Sequence, residues 1–287
     1  LMACAEDALP VSEELKDELV AEFGWDKEIV DIRNNWSTIT QAYNWALEEI
    51  MPKLNKQLVF SIGLRDDWRN GGWRIYDYAV ASRSFAFWVD DETTTGKNII
   101  KKILNTPGYP KNAVVMGYGM HGDDLNLTTN PEGFGFVVSD LFPNASYYSS
   151  FPSETFEERQ PEGVAVDAEK NKVYVALHWS DGDNIQFNHN GTLDIWKQSE
   201  RGKVPVSMTL SPALTEIAPF ILQYYYENRT DNDEFIGGPS GVQYIQEPYY
   251  KPDDYESWCV MNGQYLKAAG MFSTASSLRW PAQPFYN

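Results

Sequence analysis

Runs of β-branched and aromatic residues alternate with runs of helical periodicity along nearly the whole chain, and this alternation constrains the fold more than any other feature. Gln57 to Leu64, Phe85 to Val89, Ala113 to Gly119, Val173 to Trp179, Val204 to Leu210 and Phe235 to Gly238 read as strands. Ile29 to Arg33 and the more polar Ser146 to Ser150 extend the series. Between them lie helical stretches: Glu13 to Phe23, Ser37 to Ile50, Gly96 to Asn105, Gly133 to Phe142, Ile185 to Glu200, Ala213 to Tyr226 and Tyr255 to Met271. The second of these carries Ile39, Tyr43, Ala46, Leu47 and Ile50 as one apolar stripe. Strands separated by helices pair in parallel, because each crossover returns the chain to the same end of the sheet. About eight such units favour a closed (β/α)8 TIM-like barrel within the α/β class over an open doubly wound sheet. No G-x-G-x-x-G loop follows the first strand, which argues against a dinucleotide site. Residues 1–287 read as a single barrel-like domain, and a first residue of Leu rather than Met suggests a piece of a longer chain.

Charge narrows the partners. The net charge is −18, which opposes nucleic acid and other polyanions. No apolar run is long enough to cross a bilayer. Cys4 and Cys259 are the only thiols, so there is no disulfide framework and no Cys-based zinc site; one bridge between them and two free thiols are both consistent with the sequence. Asn35, Asn126, Asn144, Asn190 and Asn228 each begin an Asn-x-Ser/Thr acceptor pattern. That density points to a secreted or surface glycoprotein.

The stretch Val173 to Asn184, V-Y-V-A-L-H-W-S-D-G-D-N, places acids and a glycine directly after a strand. In an α/β protein the carboxyl ends of parallel strands share one face, and chemistry gathers there. Asn184 is suited to cap the next helix. The loops at that face are expected to bring together Arg33, Asp66, Asp67, His121, Asp123, Asp124, Asp181, Asp183 and Ser240. Glycoside hydrolysis needs two carboxylates flanking one bond, and Asp181 and Asp183 are the candidates. Alternation along the strand puts Val173, Val175, Leu177 and Trp179 on one side and His178 on the other, toward the barrel interior. The three histidines, His121, His178 and His189, lack the spacing of a zinc site, so neither metal nor cofactor is expected. Ser240 does not sit in a G-x-S-x-G elbow, which disfavours a serine hydrolase.

Three segments carry a resemblance. They are Asp77-Tyr78-Ala79-Val80-Ala81 with Phe85-Ala86-Phe87-Trp88, then Ser180 through Gln186, then Pro205 through Ser211-Pro212 and Ala218-Pro219 to Gly237-Gly238-Pro239-Ser240-Gly241. Together they resemble the GxGYxYP glycoside hydrolase family, in the family's order and over most of the chain. The name-giving motif departs from its pattern here: Gly241 to Pro248 has Gln243 in place of a glycine and one extra residue before the proline. The resemblance implies a secreted, multi-domain protein that acts on carbohydrate. On that reading Asp181 and Asp183 are catalytic, and Asp77, His178, Asn184, Ser240 and Tyr244 support the substrate. The rival reading is a non-catalytic glycan-binding or structural module with protein neighbours in an extracellular assembly.

Overall fold

The computed structural model describes residues 1–8, 11–24, 30–63, 74–152, 155–157 and 167–276. Among the described residues, the α-helices α1 (Met2–Glu6), α2 (Glu13–Phe23) and α3 (Ile39–Trp45) precede the first strand, α3 continuing into a π turn (Ala46–Ile50) and a 3-10 turn (Met51–Lys53). The order then runs β1 (Asn55–Ser61), α4 (Tyr76–Ala81), β2 (Ser84–Phe87), α5 (Thr94–Leu104), β3 (Val114–Gly117), α6 (Asn126–Thr129), β4 (Gly135–Val138) and α7 (Ala145–Tyr148). The second half holds β5 (His178–Trp179), α8 (Ile185–His189), α9 (Gly191–Trp196), β6 (Val206–Leu210), α10 (Leu214–Ile217), α11 (Pro219–Glu227), β7 (Asp233–Gly237) and α12 (Pro252–Ala268).

Local chemistry accounts for most boundaries. Helix α3 starts at Thr38 rather than Ser37: the Thr38 hydroxyl accepts from the Gln41 amide at 3.2 Å, and the Gln41 side chain accepts from the Thr38 amide at 3.1 Å. Helix α5 is capped by Thr93, whose hydroxyl accepts from the Gly96 amide, and it buries Ile99, Ile100, Ile103 and Leu104. The expected helix from Ile185 to Glu200 divides at Asn190, and the one from Ala213 divides at Ala218-Pro219, where proline lacks the N–H an unbroken helix needs.

All strand pairings in the two sheets are parallel, in the orders β2-β1-β3-β4 and β5-β6-β7. A single parallel bridge, Val138 to Asn184, joins the sheets. Alternating residues of the first sheet feed two different cores. Phe60, Met116 and Val137 pack with Ala79 of α4 and with Met208 and Leu210 of β6. Val59, Val115, Phe136 and Val138 pack with the isoleucines of α5 and with Ile50. The β1-to-β2 and β2-to-β3 crossovers therefore lie on opposite faces, and the chain switches sides at β1.

The α/β class with parallel strands is as expected; a closed ring of eight is not what the described strands form. The order β2-β1-β3 reverses at β1, as in an open doubly wound sheet. Two expected strands are also absent among the described residues. Residues 30–33 form none, and Ser146 lies in helix α7, held by a cap from a distant residue. In the opposite sense, Gly135-Phe136-Val137-Val138, expected inside a helix, is strand β4 and is buried on both faces.

The largest departure is at β5. Val173 to Trp179 was expected as a buried strand, but only His178 and Trp179 pair, with Ser207 and Met208 of β6. Val173 is 91% exposed and Val175 77%. A strand is buried only where neighbours cover it, and here the described residues supply one edge partner and no covering face.

Candidate active site

Because the strands run parallel, their carboxyl ends share an edge, and each sheet carries acidic residues there. The second sheet presents Ser180-Asp181-Gly182-Asp183-Asn184 after β5. This turn is locked against its neighbours. The Thr209 hydroxyl of β6 donates to the Trp179 carbonyl at 3.0 Å and accepts from the Gly182 amide at 2.8 Å. A Cβ at Gly182 would fall 2.2 Å from the Thr209 carbonyl, and one at Gly238 would fall 2.3 Å from the Asp183 amide nitrogen. Glycines at both places let the β5, β6 and β7 ends close on one another.

Asp181 has φ 86°, a left-handed conformation that costs a non-glycine residue energy. Its side chain is exposed, whereas Asp183 is half-buried. Asn184 behaves as its sequence implies: its side-chain oxygen accepts from the Phe187 amide at 3.0 Å and caps α8. Buried Asn188 on the same helix accepts from the Ser211 amide at 2.9 Å, which ties α8 to the end of β6.

The first sheet has its own rim. After β4, Asp140 is held by Arg74, whose Nη1 donates to Oδ2 at 2.6 Å, and by Gln186, whose Nε2 donates to Oδ1 at 3.2 Å. Both ion-pair partners are buried, so this carboxylate is a strut between β4 and α8 rather than a free acid. After β2, Asp90 and Asp91 converge with His121, which follows β3. The His121 ring Nε2 lies 3.1 Å from Asp90 Oδ1, and its backbone amide donates to Asp91 Oδ1 at 3.2 Å. The Glu92 amide holds Asp90 below the usual carboxylate range, with Thr93 and His121 adding to it. Burial pushes Asp91 up.

The remaining expected site residues lie elsewhere. Asp77 starts α4 and accepts from the Ser146 amide at 2.8 Å and hydroxyl at 2.6 Å, so it caps α7. Ser240 is buried and donates to the Ile245 carbonyl at 2.9 Å. Tyr244 is buried in the core beside α5, where its hydroxyl accepts from Gln246 Nε2 at 2.8 Å. His178 is exposed on β5, not turned into an interior. Arg33 forms surface pairs with Asp31 and Glu13. Asp66, Asp67 and the Asp123 side chain lie outside the described residues.

Arg74, Asp90, Asp91 and Asp140 were missed. The two acids after β2 carry the same signal that singled out Asp181, a strand ending in carboxylates. Four acceptor asparagines, Asn35, Asn144, Asn190 and Asn228, are exposed, whereas Asn126 is 1% exposed and has no room for a glycan.

Gln243 has displaced the motif glycine into a packed interior. A Cβ on Gly135 would meet its side-chain oxygen at 2.0 Å, and its Nε2 donates to the Asn112 carbonyl at 2.9 Å. This segment braces the first sheet.

Comparison with known proteins agrees with the fold and the order of these segments. Residues 57–150 match the GxGYxYP third domain, and residues 171–283 match the GxGYxYP putative glycoside hydrolase C-terminal domain. A crystal structure described as a putative hydrolase from Bacteroides thetaiotaomicron VPI-5482 is similar, with a TM-score of 0.76 and 26% identity. The match covers 94% of this chain and 50% of that one, so the chain spans half the length of that hydrolase. No curated protein matches. The two matched segments share one core across both sheets, and the chain belongs to the GxGYxYP family.

Proposed function

We propose that the chain is the carbohydrate-acting part of a glycoside hydrolase, with Asp181 and Asp183 as its working carboxylates. One observation carries this reading: Asp181 is kept at φ 86° on a turn clamped by Thr209, Gly182 and Gly238, with its side chain left open to solvent. Glycine takes such a conformation at no cost, and asparagine and aspartate take it more readily than other residues do. An aspartate retained there, at the carboxyl edge of a parallel sheet, fits an acid that must sit at one fixed place. Asp183, half-buried two residues on, is the partner nearest in sequence. The reading does not need a closed (β/α)8 ring, since an open parallel sheet also collects its loops at one edge. The exposed acceptor asparagines support a secreted glycoprotein.

The test uses the full-length protein on a panel of aryl glycosides and oligosaccharides. Asp181→Asn and Asp183→Asn should each lower turnover by about 10²- to 10⁴-fold, the usual worth of a general acid or base, with unchanged melting temperature. Turnover equal to wild type in both variants ends the assignment. The rival, a glycan-binding or structural module, is favoured by the burial of Ser240, Gln243 and Tyr244, which makes the altered motif a packing element. It requires glycan binding without turnover.

A further inference from the structure

The first sheet carries a second cluster of chemical groups that the reading above does not use. Asp90, Asp91 and His121 come from two strands, β2 and β3, which flank β1 in the sheet. Between these strands the chain switches faces, and in open parallel sheets ligands bind outside the carboxyl ends at such a point. One donor atom from each residue can be chosen so that all lie within 4.8 Å of one another.

The turn that presents His121 is built tightly. Gly119 and Gly122 exchange both backbone hydrogen bonds, at 3.1 and 3.2 Å, and leave Met120 and His121 at the corner. Glycine at 119 lets the Asp91 carboxylate pack directly against this turn. A Cβ there would stand 2.7 Å from Asp91 Oδ2.

Pairing within the cluster explains Asp90 and the His121 ring, which face each other at a surface. It does not explain Asp91. That carboxylate is only 5% exposed, and its one partner from another residue is the His121 amide on Oδ1. Its own backbone amide and the His121 ring are its other polar neighbours, and among the described residues no lysine or arginine pairs with it. A carboxylate this deeply buried, held by backbone amides and with no lysine or arginine beside it, is costly to keep ionised, and a cation bound next to it would offset that cost.

We propose that Asp90, Asp91 and His121 form a binding site for a first-row divalent cation. Two carboxylates and one imidazole suit a cation such as Zn²⁺, with three protein ligands and a position left for water or substrate. Bonds of about 2.0–2.2 Å in a tetrahedral set put ligand atoms roughly 3.3–3.6 Å apart. The 3.1 Å contact between His121 and Asp90 is close to this, and closing the widest separation takes a shift of about 1 Å. His121 and Asp90 are part-exposed, so a cation reaches them from solvent, and Asp91 also borders a groove with Glu92, Lys97, Lys101 and Asp124.

Isothermal titration of the full-length, chelator-treated protein with ZnCl₂ tests the site, with thermal melting in parallel. The expected result is one saturable Zn²⁺ per chain and a higher melting temperature with Zn²⁺. His121→Ala and Asp90→Asn should each weaken the affinity at least about tenfold, as loss of even a supporting residue does at metal sites. Glu227→Gln, at the end of α11 in the second half of the chain, should bind as wild type, and circular dichroism of each metal-free variant separates lost binding from lost folding. No saturable Zn²⁺ binding, binding of Ca²⁺ but not Zn²⁺, or a site that survives His121→Ala in a folded variant overturns the proposal. None of these outcomes depends on turnover, so the site and the role of Asp181 stand or fall separately.

Discussion

The two sheets read alike in sequence and differ sharply in surroundings. In the first, β1 has a partner on each side and a core on each face, and Val59 and Phe60 are wholly buried. In the second, the V-Y-V-A-L run leading into β5 is at least as apolar, yet its residues stand exposed. Composition therefore does not decide burial; the number of neighbours does. The same contrast runs along the rim. The first sheet's acids are tied down or sunk, as with Asp140 under Arg74 and Asp91 behind His121. The second sheet lifts Asp181 into solvent on a strained turn.

The sharpest way to break this contrast is a pair of truncations. Phe60→Ala in the first sheet should cost about 3–5 kcal/mol, the usual loss for a buried phenylalanine. Val175→Ser, before β5, should change stability by no more than about 0.5 kcal/mol, as exposed substitutions do. Chemical denaturation of both variants measures the difference, and similar losses would mean that the run before β5 is covered after all.

A middle-sized effect probes how the rim turn is held. Thr209→Val keeps the shape but removes the hydroxyl shared by Trp179 and Gly182. Leaving the buried Gly182 amide without a partner should cost about 1–3 kcal/mol. Amide hydrogen exchange should show Gly182 losing protection before the core of β6 does.

The smallest effect is a pH dependence. His189 packs edge-on to Phe142 at 5.6 Å, and burial holds its imidazole below the ordinary value. The unfolded chain therefore takes up a proton first as pH falls through about 6.5. The contribution of this group is intact at neutral pH and declines below that point. Denaturation midpoints at pH 7.5 and 5.5 should differ less in His189→Phe than in wild type.

What could be read from sequence was what local chemistry controls. Helix α2 falls where its pattern placed it, α5 within two residues, and Asn184 caps α8 as its position implied. What could not be read was set by distant residues. Helix α7 forms at Ser146 because Asp77, 69 positions earlier, accepts from the Ser146 amide and hydroxyl, and no window around Ser146 contains that fact. Asp77, Ser240 and Tyr244 looked functional because they lie in family motifs, but polar residues in motifs serve packing as readily as substrate. The barrel was inferred by counting units, and the count included two strands that do not form among the described residues. Asp90 and Asp91 were legible by the very rule that picked out Asp181, and only the fold shows His121 arriving between them.

The most direct measurement is Asp181→Gly. Glycine adopts φ 86° freely, so this change removes the acid and relieves the strain in one step. If the aspartate is kept for chemistry at the expense of stability, full-length Asp181→Gly should unfold at a higher temperature than wild type, the relieved backbone strain being worth about 1 kcal/mol, and should lose its glycosidase activity. A variant that melts lower while keeping wild-type turnover would show Asp181 to be a structural residue and would contradict the assignment.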